Sequence, residues 1–134
     1  MILLEVCAGS IESIRAAYEG GAQRIELCSA LSEDGLTPSV GMIRFAKRLE
    51  GLKVHVLIRP RGGDFVYSED EILCMIEDIE MCRSLGVDGV VIGALTRDND
   101  IDLVTCQRLI RAAEGIPNIT FHRAFDVCRN PFDA

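Results

Sequence analysis

The sequence predicts an α/β fold of parallel (β/α) units, the arc of a (β/α)₈ barrel rather than an open doubly wound sheet. Three observations carry that prediction. Short apolar strand patterns alternate with amphipathic helical patterns along all 134 residues. The strand starts, near 2, 24, 54, 88 and 119, recur at about 22 to 34 residues, which suits crossover units and is too long for hairpins. The strands are also two-faced. One face is apolar (Ile25 and Leu27; Val54, Val56 and Ile58; Ile119 and Phe121), while the other carries Glu5 and Cys7, then Arg24, Glu26 and Cys28, then His55, Leu57 and Arg59, then Thr120 and His122. A sheet covered by helices on both sides needs two apolar faces; a barrel needs only its outer face dry, the inner one lining lumen and mouth.

Each element follows from local chemistry. Residues 2–7 form a short apolar run closed by Ala8-Gly9-Ser10, and 11–19 read as a helix stopped at Gly20-Gly21. Residues 24–28 make the second strand. Residues 39–49 have helical spacing through Val40, Ile43, Phe45 and Ala46, and Gly51 follows. The β-branched run 54–58 is the third strand, ended by Pro60. Ser68 and Glu71 form a capping-box signature opening a helix with Ile72, Met75, Ile76, Ile79 and Cys82 on one face, stopped by Gly86. Residues 88–93 give the fourth strand, 102–113 the fourth helix and 119–121 the fifth strand. Asn130-Pro131 has the look of another helix start. A whole barrel takes about 250 residues, so residues 1–134 are expected to form one partial barrel domain, about five-eighths of it. Such a piece exposes two sheet edges and much of its inner face, which favours association, and a homo-oligomer is expected.

Composition narrows the function classes. Fourteen Lys and Arg against 21 Asp and Glu give a net charge of −7, which argues against a nucleic-acid surface or an anionic membrane as partner. No apolar run approaches a membrane span, and the start, Met1-Ile2-Leu3-Leu4-Glu5, lacks the basic region of a signal peptide. Six cysteines, at 7, 28, 74, 82, 106 and 128, are dispersed without a CxxC pair, so reduced thiols in a cytoplasmic protein are expected and a structural zinc site is not.

Three constellations carry chemistry. Glu5-Val6-Cys7 and Glu26-Leu27-Cys28 repeat an acid and a thiol on one face of adjacent strands. Two facing thiolates suit a soft ion such as Cu(I); the same residues also fit as small buried side chains. The glutamates serve either as general acid–base groups or as ion-pair partners of Arg24 or Arg59. Arg59-Pro60-Arg61-Gly62-Gly63-Asp64 after the third strand reads as an anion clamp, or as a turn whose Asp64 pairs with its own arginines. His122-Arg123 near Asp126, after the fifth strand, offers a proton-transfer imidazole with an orienting carboxylate, or a structural hydrogen-bonder. His55 lies early in its strand and is expected in the core or at the barrel bottom. Cys74, Cys82, Cys106 and Cys128 read as packing residues or as incidentally exposed thiols, and Gly93 as room for a ligand or a turn requirement.

These stretches, with Gly35-Leu36-Thr37-Pro38-Ser39, Asp88-Gly89-Val90-Val91-Ile92-Gly93 and Thr120-Phe121-His122-Arg123-Ala124-Phe125-Asp126, resemble the CutC copper-homeostasis family in order and over essentially the whole chain. The resemblance implies a cytoplasmic TIM-barrel protein, commonly oligomeric, that binds copper, with the Cu(I) cysteines falling on Cys7 and Cys28. It also implies roughly three further β/α units. Two functions are therefore expected to compete. One is copper homeostasis through Cys7 and Cys28. The other is a TIM-barrel lyase, isomerase or hydrolase for a small anionic metabolite, with Glu5, Glu26 and His122 as acid–base groups and Arg59, Arg61 and Arg123 holding the anion.

Overall fold

The computed structural model describes residues 3–122, 124 and 128. Within them five strands and four α-helices alternate: β1 (Glu5–Ala8), α1 (Ile11–Glu19), β2 (Arg24–Leu27), α2 (Val40–Lys47), β3 (Lys53–Leu57), α3 (Glu69–Ser84), β4 (Gly89–Ile92), α4 (Leu103–Ala112) and β5 (Asn118–Phe121). A short 3₁₀ turn at Leu31–Glu33 lies between β2 and α2. The helix expected from Asn130-Pro131 lies outside the described residues.

All strands pair in parallel and in chain order, β1-β2-β3-β4-β5. A doubly wound sheet reverses its strand order at a switch point. This sheet does not, so it is the arc of a barrel, open between β1 and β5. The two-faced pattern is realised. Ile25, Leu27, Val54, Val56, Ile58, Val90 and Ile92 pack outward against Ile14, Ile43, Met75, Ile79 and Leu109 of the four helices. Each such side chain contributes about 1.5–3 kcal/mol by leaving water.

The other face is stacked in levels by the register. Glu5, Arg24 and Lys53 stand at the N-terminal end. Cys7, Glu26, His55 and Gly89 form the next level. Above them Cys28, Leu57 and Val91 make a small cluster of their own. β4 presents glycines where its neighbours present imidazoles. A Cβ on Gly89 would stand 2.7 Å from His55 Nδ1, and one on Gly93 would stand 2.8 Å from His122 Nδ1.

Helix boundaries follow their caps. Ser68 and Glu71 form the expected capping box on α3, and Ser10 with Ser13 forms one on α1. Ser39 and Asp102 cap α2 and α4 from just outside them, which is why those helices start one residue later than the spacing suggests. The first strand starts at Glu5 rather than at residue 2. Its partner begins only at Arg24, after a turn in which the Gln23 and Arg24 amides both donate to the Leu4 carbonyl, so Leu3 and Leu4 stay half-exposed. Asp88 falls outside β4 because its carboxylate accepts from the Val54 amide (2.8 Å) and pairs with Lys47 (3.2 Å). Ile119, expected on the covered face, is 40% exposed and borders a groove of about 590 Å³ with Ile110 and Ile116.

The close approach of β3 and β4 leaves no room for a side chain at the start of β4. Gly89→Ala should therefore destabilise the fold by about 1–3 kcal/mol in chemical denaturation. Gly41→Ala, where the new methyl meets only Ser39 Oγ at 3.9 Å, should change stability by less than about 1 kcal/mol.

Candidate functional site

The thiol pair is assembled by the register. Cys7 is exposed on edge strand β1, while Cys28 is buried just beyond the end of β2. Each thiol shifts the other's protonation, and Cys28 Sγ lies 3.7 Å from the Ala8 carbonyl oxygen. Because Cys7 stands level with Glu26, Cys28 is two residues further along the neighbouring strand. Their Cα atoms are therefore about 8 Å apart, outside the roughly 7 Å that a disulfide spans. Both positions face the inner side of the sheet, two residues apart in level. Burial pushes both thiols up, Cys28 to about 12, with the Glu26 carboxylate adding to the effect at Cys7 and the Cys7 sulfur adding to it at Cys28. Among the described residues no group of three or more His, Cys, Asp or Glu is arranged to hold a metal. The pair is thus a two-sulfur donor set, which fits soft Cu(I) and falls short of the four ligands of structural zinc.

The acids occupy different levels. Glu5 begins β1 and is ion-paired with Arg24, one of the two roles the sequence left open for it. Glu26 lies one level up beside His55; burial raises its carboxyl pKa, the Glu5 charge raises it further and Arg24 opposes both. His122 sits beyond β5, against Phe65 (ring centroids 5.0 Å apart), and its Nδ1 accepts from the Ala124 amide at 3.1 Å. Glu5 is six residues below the level of His122 along the strands, about 20 Å, and Glu26 four residues below, about 13 Å. The structure does not bring these three groups together.

The arginines of the rim are engaged. Arg59 is 3% exposed. Its Nη1 donates to the carbonyls of Glu33 and Gly35, its Nη2 donates to Gly63 O at 2.9 Å, and the guanidinium stacks on Phe65. Arg61 forks onto Glu71 (2.5 and 3.2 Å), reaches Asp64 at 3.1 Å and lies over the Tyr67 ring. Both therefore fasten loops, the Asp64 pairing being the turn role that the sequence allowed for Arg61. Arg123 lies outside the described residues. Cys82 and Cys106 are buried, Cys74 is exposed and Cys128 intermediate.

Sequence reasoning missed the connection from β2 to α2 as part of the site. Ala30 and Asp34 both hold left-handed backbone there (φ 48 and 64) around the 3₁₀ turn, and Ser29 bridges Leu36. Gly35 lies directly against Cys28, since a Cβ on it would come within 3.6 Å of the sulfur. The sequence signal for its shape was Gly35, whose φ of +95° needs a residue without a side chain. Tyr67 was also missed; burial pushes its phenol up to about 12, against the pull of Arg59 and Arg61.

The sequence profile of the CutC family matches residues 2–134. The chain belongs to the CutC family. A CutC family protein of Bacteroides thetaiotaomicron is 55% identical over 128 residues, covering 95% of this chain and 51% of that protein. One of Chromobacterium violaceum is 52% identical over 132 residues, covering 98% and 53%. The crystal structure of CutC from Streptococcus agalactiae, whose name associates it with copper homeostasis, superposes with a TM-score of 0.88 at 41% identity, over 96% of this chain and 62% of that one. The chain spans about half the length of the curated CutC relatives it matches. No helix among the described residues is long and apolar enough to cross a membrane.

A pH dependence follows from the middle level of the inner face. Burial holds the His55 imidazole below its ordinary pKa, Arg24 adds to this, and Glu5 and Asp88 oppose it. The unfolded chain then takes up a proton near pH 6.5 that the fold refuses. Stability is therefore full above that value and falls as the pH drops through it. Denaturation midpoints should decline from about pH 7 to about pH 5, and His55→Gln should flatten the decline. The same pH slope in both proteins would contradict this.

Proposed function

We propose that this CutC family member takes Cu(I) as cargo between the thiolates of Cys7 and Cys28, in a reducing, cytoplasmic setting. The observation that carries the reading is one exposed and one buried thiol on the inner face of neighbouring strands, two residues apart in level. Soft sulfur selects Cu(I), and neither thiol is needed by the apolar core of the outer face. The exposed Cys7 receives the ion, Cys28 completes the pair, and both protons are released on binding. The association of the Streptococcus agalactiae relative with copper homeostasis supports the same direction.

The enzyme reading has less support. Its acid–base groups are spread over three levels, and both Arg59 Nη atoms and Arg61 donate to carbonyls and to Glu71, while Arg59 Nε has no hydrogen-bond partner among the described residues. The copper reading includes self-association, because among the described residues the apolar Ile110 and Ile119 stay exposed beside β5.

Anaerobic competition against a Cu(I) chelator of known affinity tests the proposal. The wild type should retain one Cu(I) per chain, and Cys7→Ser or Cys28→Ser should each weaken retention by about 100-fold or more, as loss of half a soft donor set implies. Equal retention in the double variant would overturn it. Sedimentation of the same samples should give a mass above the 14.7 kDa of one chain.

A further inference from the structure

We propose that the segment from Ser29 to Leu36 is a lid over the Cys28 thiol, latched shut by Arg59. The lid takes its purpose from the copper reading, on which it rests, because it controls access to that site; its test needs no copper.

Cys28 is 1% exposed although its partner Cys7 is open to solvent. An ion held between the two sulfurs must reach both, so something has to uncover Cys28. Beside it on the same level lie Leu57 and Val91, which belong to the sheet. Against it on the loop side lies Gly35, and Leu31 leans over Gly9, where a Cβ would sit 3.8 Å from the same sulfur. The loop is the covering that can move without breaking the sheet.

Its attachment is unusual. Leu31 is 55% exposed and the turn buries none of its own residues, so apolar packing does little to hold it down. Two non-glycine residues, Ala30 and Asp34, sit in left-handed backbone, which favours leaving the closed form. What opposes that strain is a set of hydrogen bonds. Ser29 and Leu36 exchange backbone bonds of 2.9 and 2.8 Å at the base. At the tip, Arg59 Nη1 donates to both Glu33 O and Gly35 O. Arg59 is in turn fixed by Gly63 O and by the Phe65 ring, so the latch is anchored to the β3 side of the mouth. A segment strained in its backbone, poor in buried apolar contacts and held at its tip by one guanidinium has the composition of a part that opens below the free energy of global unfolding. Arg59 is then a positioning residue for the thiol pair.

Site-resolved labelling with N-ethylmaleimide tests this, using Cys82 as the internal reference. Cys82 is also 1% exposed but lies in the main core between helix and sheet, so it reports global opening. In the wild type Cys28 should label faster than Cys82. Arg59→Lys keeps the charge and loses the fork; it should speed Cys28 labelling about tenfold or more, the worth of a charged hydrogen bond, and leave Cys82 unchanged. Ala30→Gly relieves the left-handed strain and should slow Cys28 by about threefold. Cys28 labelling in step with Cys82 in the wild type, or both rising together in Arg59→Lys, would overturn the proposal, as would an unchanged Cys28 rate in Ala30→Gly. Loss of Cu(I) binding with the lid kinetics intact would sink the copper reading alone.

Discussion

Parallel pairing in chain order is the constraint from which the rest follows. Because each strand lies beside the next in sequence and points the same way, residues of equal level on neighbouring strands present their side chains together. One set goes outward, where helices require it to be apolar, and the other goes inward, where it meets only its counterparts. Every contact of chemical interest here is a product of that geometry. Glu5 meets Arg24, Glu26 stands beside His55, and Cys28 reaches across to Cys7. Glycines of β4 are the complement of the same rule, small where the imidazoles of β3 and of the segment after β5 need room.

The thiol pair is best understood as a place where this geometry stops short of a covalent bond. Two cysteines directly opposite each other would compete between oxidation and metal binding. A diagonal offset of two residues disfavours the first outcome while keeping both sulfurs on the inner face. Burial and the neighbouring Glu26 charge keep both thiols protonated near neutrality, which protects them from casual reaction and leaves a soft cation as the agent able to displace the protons. Arg59 and Arg61, which look like ligand clamps in the sequence, also donate to carbonyls and acids of the mouth loops.

Much of the fold was legible because it rests on periodicities that the chain states openly. Alternation in 24–28 and 54–58 separates lumen from core, and Ser68 with Glu71 marks a helix start that the structure reproduces. Membership of the CutC family was legible for a different reason, namely motifs in order along the whole chain. What stayed hidden depends on contacts between distant residues. Nothing local tells that the Arg59 guanidinium ends on the carbonyls of Glu33 and Gly35, since backbone acceptors leave no mark in sequence. Nor does the spacing of Glu5, Glu26 and His122 reveal their heights in the sheet, because height is set by register with neighbours. The left-handed turn at Ala30 and Asp34 breaks local preference and therefore could not be read from it.

The proposed two-sulfur site is tested most directly by X-ray absorption at the copper edge on the anaerobically loaded chain. The account predicts a first shell of two sulfur atoms, without nitrogen or further light donors, that disappears in Cys28→Ser. A shell dominated by nitrogen or oxygen, or a sulfur shell that persists when both Cys7 and Cys28 are serine, would contradict it.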